Sequence, residues 1–379
     1  MSGFHGLTWD HPRGYRALEA AAEKSDGLLR WSRQPLEGFE SHPIADLAAR
    51  FDLLVLDHPH IGEAVAHDCL QPLEAHFDAG EIAACGRGSI GAALASYRWE
   101  GSHYALPLDI AMQVMARDPD TVVAAPDSWD EVMAVSERSP VAISVAGPHA
   151  VLTFLSLCIS LGEDPGGEEL IGNAAGCEAL ERLRRLAARA PAGSETMNPI
   201  ALLEAISRRA GITLVPLVFG YVNYAVASGD RSRVAFSNAP RLGGRRGSVL
   251  GGTGIGITSG TQPDKPLLDH LRWLMSEGAQ QGFIPDHDGQ PSSRAAWTSG
   301  SVNAAWGNFY RDTQETAEQA WVRPRFDGYI AFQTAAAALI REALGDATPA
   351  SAIIGRLHDL WQAARAAARR PLRIRKGKA

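Results

Sequence analysis

The triplet Asp-His-Pro occurs twice, as Asp10-His11-Pro12 and as Asp57-His58-Pro59, the second extended by His60. A carboxylate beside an imidazole can move a proton, ligate a metal or hydrogen-bond a polar solute. Two histidines so close to an aspartate can chelate, but a closed metal site needs more ligands. Only Asp10-His11 offers a second cluster, so neither a metal nor a cofactor is expected, and hydrogen bonding to a polar solute is favoured. Arg13 could clamp a carboxylate bidentately, helped by the N-terminus of the helix it opens. The plainer reading is that Pro ends a strand, Asp accepts N–H bonds before a helix and Arg13 is a solvated first-turn residue. No Gly-x-Ser-x-Gly elbow is present, and the string Gly86-Arg87-Gly88-Ser89-Ile90-Gly91 does not follow a strand, so a serine hydrolase is not expected.

Positioning these groups falls to the segments around them. Leu7-Thr8-Trp9 and Leu28-Leu29-Arg30-Trp31 read as strands, and Phe51 to Leu56 as a buried parallel strand. Tyr15 to Glu23, Ile44 to Arg50 and the chain from Ile61 read as helices. This alternation is the rhythm of an open α/β sheet, whose ligand crevice lies beyond the carboxyl ends of the strands. Both Asp-His-Pro triplets fall there, so their loops are expected to share one crevice.

Further along, Ser128 and Glu131 form a capping box, and Ile212 to Phe219 is a strand whose Pro216 predicts an edge or a bend. The run Gly251-Gly252-Thr253-Gly254-Ile255-Gly256-Ile257 contains no Lys for a phosphate loop and reads as a strand open to close approach. Glu178 to Ala190, Pro199 to Arg209, Pro266 to Met275, Ile330 to Leu344 and Ile353 to Ala368 read as helices. Aromatic faces suit sugars and polyols. Among Trp9, Tyr15, Tyr221, Tyr224, Trp297 and Trp306, the best placed are Trp9, beside Asp10-His11, and Tyr221, beside Asn223.

The chain has 379 residues, 45% hydrophobic and 21% charged, long enough for two cores. A net charge of -7 argues against nucleic-acid binding, and the basic run Arg369 to Lys378 reads as a solvated terminus. Cys69, Cys85, Cys158 and Cys177 have no Cys-x-x-Cys spacing and read as small buried hydrophobes. No apolar run is long enough to span a bilayer. Met1 to Gly6 shows no export signal, so a cytoplasmic location is expected for the chain as written, and a periplasmic one if its N-terminus was trimmed.

Four segments resemble the extracellular solute-binding proteins of ABC transporters, the class that includes maltose-binding protein. Tyr97 to Asp109 (YRWEGSHYALPLD) is similar to that family's hairpin before the first crossover, here Ile110 to Met115. Asp118 with Pro126 to Val132 (PDSWDEV), Gly251 to Ile257 with the Leu268 to Met275 helix and Gln280, and Gly289-Gln290-Pro291-Ser292 follow in the family's order.

The resemblance implies a two-lobed α/β fold of the periplasmic-binding type (type II). Lobe one would hold 1–110 and 240–300, lobe two 111–239 and 301–379, with Val234 to Pro240 as a returning crossover. It further implies a monomer that closes on a small carbohydrate-like or carboxylate solute and serves an ABC permease if exported. The candidate ligand-binding residues are Trp9, Asp10, His11, Arg13, Tyr15, Asp57, His58, His60, Asp109, Tyr221, Asn223, Gly252 and Thr253. Two alternatives stay open. One is a cytosolic enzyme on this fold using His11, Asp57, His58 or His60 as acid–base groups; the other is a sensor or storage protein that binds without chemistry.

Overall fold

The spine of the molecule is one twelve-residue strand, Leu106–Arg117, buried along almost its whole length. At about 3.4 Å per residue it runs for roughly 40 Å, and it belongs to both ends of a seven-stranded sheet. The computed structural model describes residues 3–369, so all of the basic C-terminal run except Arg369 lies outside the described residues.

The strands of that sheet are β1 (Phe4–Trp9), β2 (Leu29–Gln34), β3 (Leu53–Leu56), β4 (Leu106–Arg117), β5 (Leu214–Phe219), β6 (Ala235–Ser237) and β7 (Leu250–Ile257). Their order is β2-β1-β3-β7-β4-β5, with β6 paired to β4 off this path. β1 runs parallel to β2 and β3, as the strand–helix alternation requires. β7 is antiparallel to both β3 and β4.

β4 changes partners midway. Leu106 to Met112 pairs with β7, and Gln113 to Arg117 pairs with β5 and β6. The change is pinned by Gln113, which is fully buried yet satisfied. Its amide donates to Thr153 Oγ1 (3.0 Å) and its carbonyl accepts from Ser156 Oγ (2.6 Å), tying β4 to the helix His149–Ser160. Pro216 falls where the β4–β5 register shifts, a place that can spare a backbone N–H.

Two sets of helices cover the sheet. At one end His149–Ser160, Asn173–Ala187, Tyr329–Gly345 and Ala350–Ala368 close a core around Phe154, Tyr329 and Trp361. At the other, Leu7, Ile44, Leu54, Ile61 and Tyr97 pack beneath short helices. Ser128 and Glu131 form the reciprocal cap of the helix Trp129–Val135. The segment after Tyr97 is an antiparallel hairpin, Arg98–Trp99 with Ser102–His103, leading into β4.

Candidate ligand-binding site

β1 ends on Trp9, which is 2% exposed, and the chain then turns through Asp10 and His11 into the helix Pro12–Glu23. His11 has extended backbone and caps that helix, its Nδ1 accepting from the Arg13 N–H at 3.2 Å, while Pro12 occupies a first-turn position that has no N–H to satisfy. With Nδ1 accepting, the proton of neutral His11 sits on Nε2. The imidazole stacks on Trp9, 5.2 Å between centroids at 10°, and meets Tyr221 edge-on at 4.8 Å. Burial, with help from the nearby Arg13 charge, pulls His11 down to about 3.

Arg13 points into the protein. Its Nε–H donates to Asp109 Oδ2 at 2.8 Å and its Nη1–H to the Gly220 carbonyl at 3.1 Å. The other Asp109 oxygen accepts from the Thr253 N–H at 2.7 Å. Gly252 makes this approach possible: its φ of +116° lies outside the range of ordinary residues, and a Cβ there would sit 2.7 Å from the Asp109 carbonyl. One knot thus joins the end of β1, the middle of β4, the end of β5 and the bulged start of β7.

β3 delivers the second triplet as a single 3₁₀ turn, His58–His60. Asp57 Oδ1 accepts from the His58 N–H at 2.8 Å, and Oδ2 pairs with the Arg323 guanidinium. Arg323 is held in turn by the Leu250 carbonyl (3.1 Å) and Gln333 (3.2 Å). Burial alone would raise the Asp57 carboxyl, but Arg323 and His58 outweigh it and hold it well below the usual carboxylate range. His58 Nε2 accepts from the Arg323 N–H at 3.2 Å, which places the proton of neutral His58 on Nδ1, 3.0 Å from Asp57 Oδ1. Burial draws His58 down to about 4 against the opposing pull of Asp57.

Trp9, Arg13, Asp57, Tyr221, Gly252 and Thr253 line one cavity, so the two Asp-His-Pro loops open into the same space. His11 and Asp109 stand directly behind its wall, against Trp9 and Arg13. The remaining candidates lie elsewhere. Asp10 is exposed beside Arg33, whose guanidinium also covers the Tyr15 ring at 3.3 Å. Asn223 donates to Asp288. His58 and His60 are buried away from the cavity, His60 with its Nδ1 3.7 Å from Glu63. The carboxylate clamp expected of Arg13 meets a competitor on the protein itself, Asp109.

Sequence reading missed Phe39, Glu40, His149 and Phe219 in the lining. Only His149 carried a local signal, as the first residue of a helix after Gly147-Pro148. Two of the cavity's polar side chains are buried without a hydrogen-bond partner, Trp9 at Nε1 and His149 at both ring nitrogens. An indole N–H only donates, whereas a neutral imidazole donates once and accepts once. Such a set suits hydroxyl groups, which do both.

Residues 41–309 match the family model of the bacterial extracellular solute-binding proteins. The chain belongs to that family.

Solved structures agree with this solute-binding membership at the level of fold. An ABC-transporter solute-binding protein from Agrobacterium radiobacter K84, in complex with ribitol, superposes with a TM-score of 0.80 at 17% identity, over 96% of this chain and 98% of that one. One from Thermotoga lettingae, bound with α-D-tagatose, gives 0.80 at 14% identity, over 96% and 100%. Maltose-bound MalE3 of T. maritima gives 0.76 at 17%, over 95% and 99%. These likenesses show the two-lobed periplasmic-binding fold. No curated protein matches the sequence. Among the described residues no helix is long and apolar enough to cross a membrane, and no three His, Cys, Asp or Glu side chains gather as a metal site.

Proposed function

We propose that this solute-binding protein captures a small polyhydroxylated solute, of the sugar or polyol kind, and delivers it to an ABC permease outside the cytoplasmic membrane. The lobes in this reading are 1–110 with 240–300 and 111–239 with 301–379. The change of partners along β4, from β7 over Leu106 to Met112 to β5 and β6 over Gln113 to Arg117, supports a boundary near residue 111. Trp9, Phe39 and Asp57 would then approach from lobe one and His149, Phe219 and Tyr221 from lobe two, with Asp109 and Thr253 at the hinge between them.

The observation that carries the reading is one cavity with aromatic walls, two of whose lining side chains, Trp9 and His149, keep nitrogens without a hydrogen-bond partner. Aromatic faces cover the C–H side of a sugar or polyol, and the free nitrogens take its hydroxyls. Closing the lobes on the solute gives each of these groups a partner, which is the differential contact that closure needs. The related proteins found with ribitol, tagatose and maltose point the same way.

A thermal-shift screen over ribitol, mannitol, tagatose, maltose and small organic acids tests it. A true solute at 100 times its Kd adds about 2.7 kcal/mol of stability. Replacing Trp9 by Phe keeps the wall and removes the N–H, and should weaken binding about tenfold. A screen without any stabilising sugar or polyol, or a hit whose affinity is untouched in W9F, would defeat the proposal.

A further inference from the structure

Three charged side chains face the cavity: Arg13, Glu40 and Asp57. Two of them are already matched inside the protein. Arg13 is paired with Asp109, both almost fully buried, and Asp57 is paired with Arg323. Glu40, on the short helix Leu36–Ser41, has no such partner. Among the described residues its carboxylate meets one polar group of opposite capacity, His149 Nε2 at 3.4 Å, and both nitrogens of that imidazole stay outside hydrogen-bonding geometry. Its side chain is 25% exposed and His149 is 4% exposed. Among the described residues, Glu40 is thus the charged side chain of this aromatic cavity that has no arginine or lysine partner.

We infer that the solute carries an ammonium group that Glu40 receives. The inference rests on the cleft being the solute site and names a feature of the ligand. An ammonium offers several donors and no acceptor, the complement of a free carboxylate, and a charge-assisted bond of this kind is stronger than a neutral one. The surrounding rings of Trp9, Phe39, Phe219 and Tyr221 favour a cation through their faces. A carboxylate solute would meet Glu40 with no free cation to offset it, since Arg13 and Arg323 are both engaged.

The test uses three probes of one chain length that differ at a single end: D-glucitol, D-glucamine and D-gluconate. Affinities are measured by calorimetry on the full chain at about pH 8, where an alkyl amine is still protonated. Glucamine is expected to bind at least tenfold more tightly than glucitol, with gluconate the weakest. In the Glu40→Gln variant the ratio of glucamine affinity to glucitol affinity should fall to about one. Equal binding of glucamine and glucitol, tighter binding of gluconate, or an amine preference that survives E40Q overturns the inference. If glucitol still binds and loses affinity in W9F, the cleft reading survives that failure. Binding of none of the three overturns the inference, and the screen over sugars and polyols then decides the cleft reading by itself.

Discussion

The Nε–H of Arg13 donates to Asp109 across 2.8 Å, and both side chains are only 4% exposed. The second Asp109 oxygen is taken by the Thr253 N–H, so the carboxylate is satisfied on both sides. A buried ion pair of this kind adds little over an apolar pair of the same size, but removing one partner strands the other charge. R13A or D109A is expected to cost about 3–5 kcal/mol in urea unfolding, while R13M combined with D109L should cost much less than the sum. Additive costs would show that the two residues act separately.

The pH dependence follows from three depressed groups. His11 titrates near 3 and His58 near 4 in the folded chain, against 6.5 for a free imidazole. The unfolded chain takes up these protons first, so each histidine contributes stability above pH 6.5 that is lost as the pH falls toward its folded value. Asp57, also depressed, adds a loss that begins near its unfolded value of 3.8. The expected slope between about pH 6 and pH 5 is up to roughly 1.4 kcal/mol per unit for each histidine, and H58Q should remove one share of it. Urea midpoints that do not move over this window would contradict the assignment of both imidazoles as buried and neutral.

Much of this arrangement was legible locally. A strand ending in Asp-His-Pro before a helix gave the place of Trp9, His11 and Asp57, because an apolar run, a proline and a helix former constrain neighbours only a few residues apart. The Ser128–Glu131 cap was readable for the same reason. The roles of the polar groups were not. Asp57 finds Arg323 at a separation of 266 residues, and that pairing, together with the Arg323 N–H, turns His58 into a structural acceptor. Glu40 and His149 gain significance only by meeting across the cavity, which no spacing within either segment encodes.

Gly252 makes the turn that brings the Thr253 N–H onto Asp109. Alanine there would suffer twice, from a φ of +116° and from a Cβ within 3.0 Å of three backbone atoms of Asp109, Ile110 and Ala111. Backbone atoms in a paired strand cannot step aside cheaply, so G252A is expected to destabilise the protein by more than about 1 kcal/mol. A G252A variant with unchanged urea midpoint would mean that the β4–β7 junction is softer than its geometry indicates.

Gly14 offers a sharper separation of binding from stability. It lies in the helix Pro12–Glu23, where alanine is ordinarily favoured over glycine by roughly 0.5–1 kcal/mol. Its missing side chain, however, leaves room for the indole, because a Cβ would come within 2.4 Å of Trp9 Nε1. The helix gain and the steric cost oppose each other, so G14A should fold with a net change below about 2 kcal/mol. The displaced indole N–H should nevertheless weaken solute binding about tenfold and shift the tryptophan fluorescence, since Trp9 is a cavity wall. Wild-type affinity together with an unshifted spectrum in G14A would take the Trp9 edge out of the solute site.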